Sequence, residues 1–296
     1  MKSISTSIST FKNIIRSDYL YVDKTRYIYE MVKEPFGQFF FSRPRRFGKS
    51  LTISTLEAVF EGEKELFKGL YIYGTDYTWE KYPVIHIDFG RSDSLTVANL
   101  EEWLKLEMTS IAGRHDVQIG GSTPALMFGE LIKALYYKYD KGVVILVDEY
   151  DRPITNNLED GKGVKKISRT MEAFYQMIKG YEAMERFVFI TGITRLSQVS
   201  VFSKLNNLVD ISRSEKYADA VGYNAEELKE NFEEYIRTAA QKNGYSSDKL
   251  LGELASWYDG FRFSFEGNKV YNPVSIGLFL RRTMSSEITG MLRQRR

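Results

Sequence analysis

The sequence predicts an α/β fold built around a mostly parallel β-sheet. Short apolar runs rich in β-branched and aromatic residues alternate with longer stretches in which apolar residues recur at helical spacing. This alternation is typical of strand–helix–strand units, in which helices cover buried parallel strands. The runs with the strand pattern cover residues 38–42, 83–89, 143–147 and 186–193.

Composition narrows the classes of function. The chain has 296 residues, 43% of them hydrophobic, which suits about two folded domains with a sizeable core. Its formal charge of +2 gives no overall attraction to nucleic acid. Because it has no cysteine and two histidines, thiol chemistry and thiolate zinc sites are excluded, and we expect any metal to be held by oxygen.

Neither a membrane span nor a secretion signal is visible in the sequence. The longest aliphatic run, 143–147, is far below the roughly 18 residues that a span requires, and the first ten residues are polar. We therefore expect a cytoplasmic protein without membrane contact.

In the first part of the chain, predicted helices alternate with these strands. The last part is predicted to be mostly helical. A helix over 51–60 follows the first strand, and another begins at Pro124. Later, Asn224 with Glu227 three residues on predicts a capped helix that ends at Gly244.

A helix over 248–257, a small hairpin or wing and a helix from Pro273 complete the C-terminal part. The hairpin is predicted from 261–265 and 269–271, which flank a turn. We divide the chain into a core with an N-terminal extension (1–211), a helical and winged appendage (212–284) and a basic tail expected to be frayed (285–296).

A phosphate-binding P-loop pattern follows the first strand. In such loops main-chain N–H groups and a helix N-terminus bind phosphates, a lysine neutralises them, and the next hydroxyl ligates Mg²⁺. These roles fall to Gly48, Lys49 and Ser50. The residues predicted to bind nucleotide are Arg43, Pro44, Arg45, Arg46, Phe47, Gly48, Lys49, Ser50 and Leu51.

This loop departs from the usual pattern. Arg43 replaces the first glycine, and Pro44 has no N–H to donate. Taken alone, the segment fits equally well a basic loop that only begins a helix.

The strand 143–147 favours the nucleotide site because it ends in Asp148 and Glu149, a Walker B pattern. Asp148 would hold Mg²⁺ with Ser50, and Glu149 would polarise the attacking water. The alternative for this acidic pair is a solvated turn without a catalytic role. Together the motifs predict a P-loop NTPase three-layer sandwich. The strand 83–89 leaves room for another strand between the two motif strands, as in ATPases with an extra catalytic glutamate.

Polar residues at the end of strand 186–193 complete the predicted catalytic set. Thr191 or Thr194 would bond the attacking water or the γ-phosphate, and Arg195 would supply positive charge in the transition state. Threonines bonded to their own backbone and a surface arginine are the alternative. An arginine from a neighbouring subunit, in an oligomer, is another source of that charge.

These ordered motifs resemble the AAA-ATPase-like proteins of bacteria, which usually carry a PD-(D/E)XK nuclease-like domain after the ATPase domain. The resemblance covers about 11–283 and implies ATP as the nucleotide and the arginine-rich loop as this family's own Walker A. It places Tyr21, Asp23 and Lys24 near the base or in a packed extension, and it implies a separate effector or nuclease-like partner. The matching segments are 21–25, 43–50, 82–85, 148–151, 192–197, 202–203, 205–207, 257–260 and 271–273.

Direct nucleic-acid binding is not expected. The basic cluster of the loop is better explained by nucleotide phosphates, and the first helix of the appendage is acidic. We therefore interpret the appendage as a lid or interdomain spacer. Two functions remain open: a Mg²⁺-dependent ATPase that moves the appendage, and a non-hydrolysing switch or scaffold for a separate effector. A kinase is disfavoured because no acceptor site is visible.

Overall fold

Five parallel strands form one sheet in the computed structural model, which describes residues 1–158, 161–194, 207–258 and 260–284. The strands are β1 (Gly37–Ser42), β2 (Val84–Asp88), β3 (Val143–Asp148), β4 (Glu185–Gly192) and β5 (Val209–Asp210). The predicted α/β class and all four predicted strands are confirmed. The fifth, β5, pairs with β1 over two residues, too few for a periodic pattern to reveal it.

The order of the strands is β2-β3-β4-β1-β5. A strand therefore does lie between β1 and β3, but it is β4, while the candidate suggested by 83–89 is the edge strand β2. Because β1, β3 and β4 are parallel, their carboxyl ends meet at one edge of the sheet. The predicted site residues lie at or just after these three ends.

Helices cover both faces of the sheet and form the predicted three-layer sandwich. Alternate residues of β3 face opposite layers: Val143, Ile145 and Val147 join one apolar cluster, and Val144 and Leu146 join the other. On the first face lie α4 (Val97–Arg114), α5 (Pro124–Tyr139) and α7 (Gly161–Gly180), with the short α6 (Arg152–Thr155) after β3. On the second lie α1 (Phe11–Arg16), α2 (Thr25–Val32) and α3 (Lys49–Phe60). Single 3₁₀ turns lie at Lys64–Phe67, Tyr71–Gly74, Phe89–Arg91, Glu182–Met184 and Glu215–Tyr217.

The appendage packs around a third apolar cluster, to which Ile4 and Val22 of the N-terminal extension also belong. Its helices are α8 (Ala225–Asn231), α9 (Glu233–Lys242), α10 (Ser247–Tyr258) and α11 (Pro273–Met284). The capping box is confirmed, since Asn224 Oδ1 accepts from the Glu227 N–H at 2.8 Å and Glu227 returns a contact to the Asn224 N–H.

Two predictions for the appendage are wrong in detail. The single helix expected up to Gly244 breaks at Phe232, whose backbone leaves the helical region (φ −119°) while its ring is fully buried. The expected hairpin has one antiparallel bridge, Phe261 to Val270, because the neighbouring Tyr271 pairs with Tyr223 instead. The domain boundaries stay predictions, and the tail lies outside the described residues.

Among the described residues, no helix combines the length and the apolar character that crossing a bilayer requires.

Candidate active site

The loop after β1 turns sharply into α3. Gly48 has a left-handed backbone (φ +98°) and precedes the first residue of α3, and Arg46 also has a positive φ of +66°. A Cβ on Gly48 would meet no atom within 4 Å, so it is the backbone conformation that favours glycine here. This turn directs the N–H groups at the start of α3 to the edge of the sheet, an arrangement that suits an anion.

Lys49 places a buried ammonium at this edge. The residue is 7% exposed, and its Nζ donates to the carbonyl oxygens of Arg43 at 2.9 Å and Pro44 at 3.0 Å. Burial lowers the pKa of Lys49, and the carboxylates of Asp148 and Glu149 partly offset that effect. A buried cation whose contacts are neutral carbonyls is well placed to bind a phosphate.

Asp148 ends β3 beside the first turn of α3. Burial raises its pKa, while a hydrogen bond with the Ser50 hydroxyl and the charge of Lys49 lower it. Asp88, its register partner at the end of β2, raises it further. The Ser50 hydroxyl and the Asp148 carboxylate thus offer adjacent oxygens, the donor type that Mg²⁺ prefers.

Sequence reasoning missed Asp88, although it ends its strand as Asp148 ends β3. Its carboxylate accepts from the Gly90 N–H at 2.8 Å and from Arg91 Nε at 3.0 Å. Within the described part of the chain, no group of three or more histidine, cysteine or acidic side chains is arranged to hold a metal. A Mg²⁺ ion here would therefore need hydroxyl, phosphate or water oxygens besides Asp148.

Glu149 borders the same space with a strained backbone. Its φ is +50°, a region that non-glycine residues rarely adopt, and its N–H donates to Asp148 Oδ1 at 2.9 Å. Its carboxylate pairs with Arg152 Nη1 at 2.5 Å, with both side chains partly exposed. Strain of this kind at the end of a central strand is consistent with a functional position.

Thr191, inside β4, and Thr194, just after it, make internal contacts. The Thr191 hydroxyl is fully buried and donates to the Phe41 carbonyl on the neighbouring strand β1 at 2.7 Å, rather than to its own backbone. The Thr194 hydroxyl donates to Asp151 Oδ2 at 2.6 Å. Catalytic roles for both stay predictions without support from these contacts, and Arg195 lies outside the described residues.

Asp151 is a buried residue that accepts several hydrogen bonds and to which sequence reasoning assigned no role. Besides the Thr194 hydroxyl, its carboxylate accepts from the N–H groups of Ile193 and Thr194. It therefore ties the end of β3 to the end of β4. The sequence signal for Asp151 was its position in segment 148–151, one of the segments that resemble the AAA-ATPase-like family.

Gly192 is tightly packed in the contact between the ends of β3 and β4. A Cβ there would lie 2.3 Å from Tyr150 Cδ1 and 2.5 Å from Asp151 Oδ1. We expect Gly192→Ala to reduce the free energy of unfolding by about 1–3 kcal/mol, as overpacking does. Urea unfolding measures this, with Gly180→Ala in α7 as control, because a Cβ there meets nothing within 4 Å. Equal stability of the two variants would contradict the packing.

The side chains of the arginine-rich loop differ in burial: some are buried in the protein and others lie half-buried or exposed beside the cavity. The Arg43 guanidinium is 2% exposed and donates to the carbonyls of Ser42, Ser212 and Tyr217, so these contacts do not support nucleotide binding by this side chain, which stays a prediction. Phe47 is likewise buried against the appendage. Pro44 and Leu51 are half-buried, and Arg45 and Arg46 are exposed beside the cavity.

A cavity of about 390 Å³ adjoins the loop, within the size range of small-molecule sites. The N-terminal extension and the appendage supply its other walls, with residues such as Ile14, Val22 and Ile28 forming an apolar part. The main lining segments are 5–9, 20–22, 45–52, 220–223 and 273–274, together with Glu149.

Tyr21 and Lys24 line this cavity, whereas Asp23 does not. The Asp23 carboxylate accepts from the N–H groups of Thr25 and Tyr71, a packing role. Lys24 Nζ donates to the Glu227 carboxylate at 2.5 Å and to the Asp219 carbonyl at 2.7 Å. The N-terminal extension is thereby joined to the appendage beside the cavity.

Comparison with known proteins gives two matches. The family described as "Predicted AAA-ATPase" matches residues 5–202. A protein of Azotobacter chroococcum mcd 1, described as "Uncharacterized protein in vnfD 5'region", is 33% identical over 283 residues, which are 95% of this chain. The chain spans about half (52%) of the length of that relative. No solved structure matches the chain.

Proposed function

Because this chain belongs to the predicted AAA-ATPase family, we propose that it binds ATP with Mg²⁺ in the cavity beside Lys49 and hydrolyses it. The observation that carries the proposal is the meeting of Lys49, Ser50 and Asp148 at the N-terminus of α3. The buried ammonium of Lys49 suits the β- and γ-phosphates, and the hydroxyl and the carboxylate suit their metal ion.

Each residue has a defined task in this proposal. Lys49 and the N–H groups at the start of α3 bind the terminal phosphates. Ser50 and Asp148 would hold Mg²⁺, which would neutralise charge on the phosphates. Glu149 orients the attacking water and accepts its proton. Glu149 would first exchange its contact with Arg152 for that water. The water oxygen would then bond to the γ-phosphorus while the bond from that phosphorus to the bridging oxygen breaks, which leaves ADP and inorganic phosphate.

The base would lie in the apolar part of the cavity. Its walls come from both the N-terminal extension and the appendage, so a bound nucleotide would contact both. We therefore propose that the nucleotide state changes the position of the appendage, and through it of an effector such as a nuclease-like partner. Since the matched relative is about twice as long, that partner stays a proposal.

Direct titration with ATP and Mg²⁺ tests this site. We expect Lys49→Ala to weaken ATP binding at least about tenfold, because a charge-assisted bond to phosphate is lost. The matched control is Lys133→Ala, a lysine on the surface of α5 that pairs with Glu130. Equal ATP affinity in the Lys49→Ala variant and the parent would refute the assignment.

A non-hydrolysing switch is the second candidate. The Glu149–Arg152 pair and the internal contacts of Thr191 favour it, since fewer groups are then ready to activate water. Phosphate release at saturating ATP separates the two functions. Turnover below about one per hour, together with tight binding, supports the switch, and faster turnover supports the ATPase.

A further inference from the structure

Arg43 occupies an unusual place for a charged side chain. Its guanidinium lies between two aromatic rings, 4.2 Å from the centroid of Phe41 in β1 and 4.1 Å from that of Phe263 in the appendage. Burial lowers the pKa of Arg43 to about 9, and its Nε has no hydrogen-bond partner among the described residues. Burying a guanidinium costs free energy, which its hydrogen bonds and ring contacts have to offset.

These contacts connect the loop to the appendage. Nη1 donates to the carbonyls of Ser42 at 2.9 Å and Ser212 at 2.6 Å, and Nη2 donates to that of Tyr217 at 3.2 Å. Ser212 and Tyr217 lie at the start of the predicted appendage, whereas Ser42 ends β1. One planar side chain therefore fixes three main-chain carbonyls and one appendage ring.

The main chain of the same residue contacts Lys49. The Arg43 and Pro44 carbonyls accept from the Lys49 ammonium, so a phosphate that binds this ammonium competes with them. Pro44 has a fixed φ and cannot freely absorb a rotation of the peptide before it. A shift of the Arg43 carbonyl is therefore passed to the Arg43 side chain.

We infer that Arg43 is a positioning residue that couples phosphate binding at Lys49 to the position of the appendage. This inference rests on the proposed ATP site and names the residue that transmits its state. It also accounts for the arginine at the position of the first P-loop glycine, since glycine has no side chain that could reach Ser212 or Phe263.

Energy transfer between two dyes measures the coupling. Because the chain has no cysteine, Glu102→Cys in α4 and Ser256→Cys in α10 provide unique labelling sites, both exposed. Saturating AMP-PNP with Mg²⁺ should change the transfer efficiency of the labelled parent. Arg43→Lys keeps the charge but cannot bridge three carbonyls and two rings, so we expect a response at least about twofold smaller at saturation.

Arg262→Lys is the matched control, because Arg262 is exposed beside Phe263, and its response should equal that of the parent. A full response in Arg43→Lys, or no response in a parent that binds AMP-PNP, would overturn the inference. A parent that does not bind AMP-PNP would instead refute the ATP site. If Arg43→Lys fails to fold or bind, Phe263→Leu decides, since it removes one stacking ring: a reduced response supports the coupling and a full one overturns it.

Discussion

The Glu149→Gln variant should bind ATP as tightly as the parent and release phosphate at least about 100-fold more slowly. Glutamine has nearly the same shape as glutamate, so the strained turn at φ +50° and the N–H contact to Asp148 can persist. It cannot accept a proton from water. This one substitution therefore separates ATP binding from ATP hydrolysis.

Phosphate release and ATP titration, measured on the same preparation, check this expectation. Glu130→Gln on the surface of α5 is the control for the chemical change alone and should match the parent. Turnover in Glu149→Gln equal to that of the parent would remove Glu149 from the proposed mechanism.

A second large effect is expected far from the cavity, at the start of β4. Glu185 is 2% exposed, and its Oε2 accepts from Gln38 Nε2 at 3.0 Å. Burial, with a smaller contribution from Glu182, raises the pKa of Glu185 to about 8. The folded protein therefore keeps a proton that the unfolded chain loses near pH 4.5.

Stability should consequently fall as the pH rises between these two values. In that window the folded state binds the extra proton, so the free energy of unfolding decreases by up to about 1.4 kcal/mol per pH unit, about 5 kcal/mol in all. Glu185→Gln stays neutral and should lack this fall. Glu185 Oε1 itself has no hydrogen-bond partner among the described residues.

Urea unfolding at pH 5.5 and pH 8.5 distinguishes the outcomes. The stability advantage of Glu185→Gln over the parent should grow with pH, whereas Glu102→Gln, at an exposed glutamate of α4 that does not shift the pKa of Glu185, should follow the parent. Parallel pH profiles for Glu185→Gln and the parent would show that the buried carboxyl does not control this dependence.

Local patterns predicted the parts of the molecule that local physics determines. Buried parallel strands are continuous apolar runs, and the turn before α3 needs Gly48, so the sheet and the turn into α3 could be identified from the sequence. The role of the Arg43 side chain could not, because its acceptors Ser212 and Tyr217 lie far along the chain. For the same reason the break at Phe232 was missed, since burial in the appendage overrides helical propensity.

The walls of the cavity also bear on how the protein is made. Residues 5–9 and 273–274 line the same space, although more than 260 positions separate them. The complete pocket can therefore form only after nearly the whole described chain has been synthesised, as one of the last long-range events of folding. A nucleotide that binds there would stabilise the finished fold by mass action, so cellular ATP would favour completed molecules over partly folded ones.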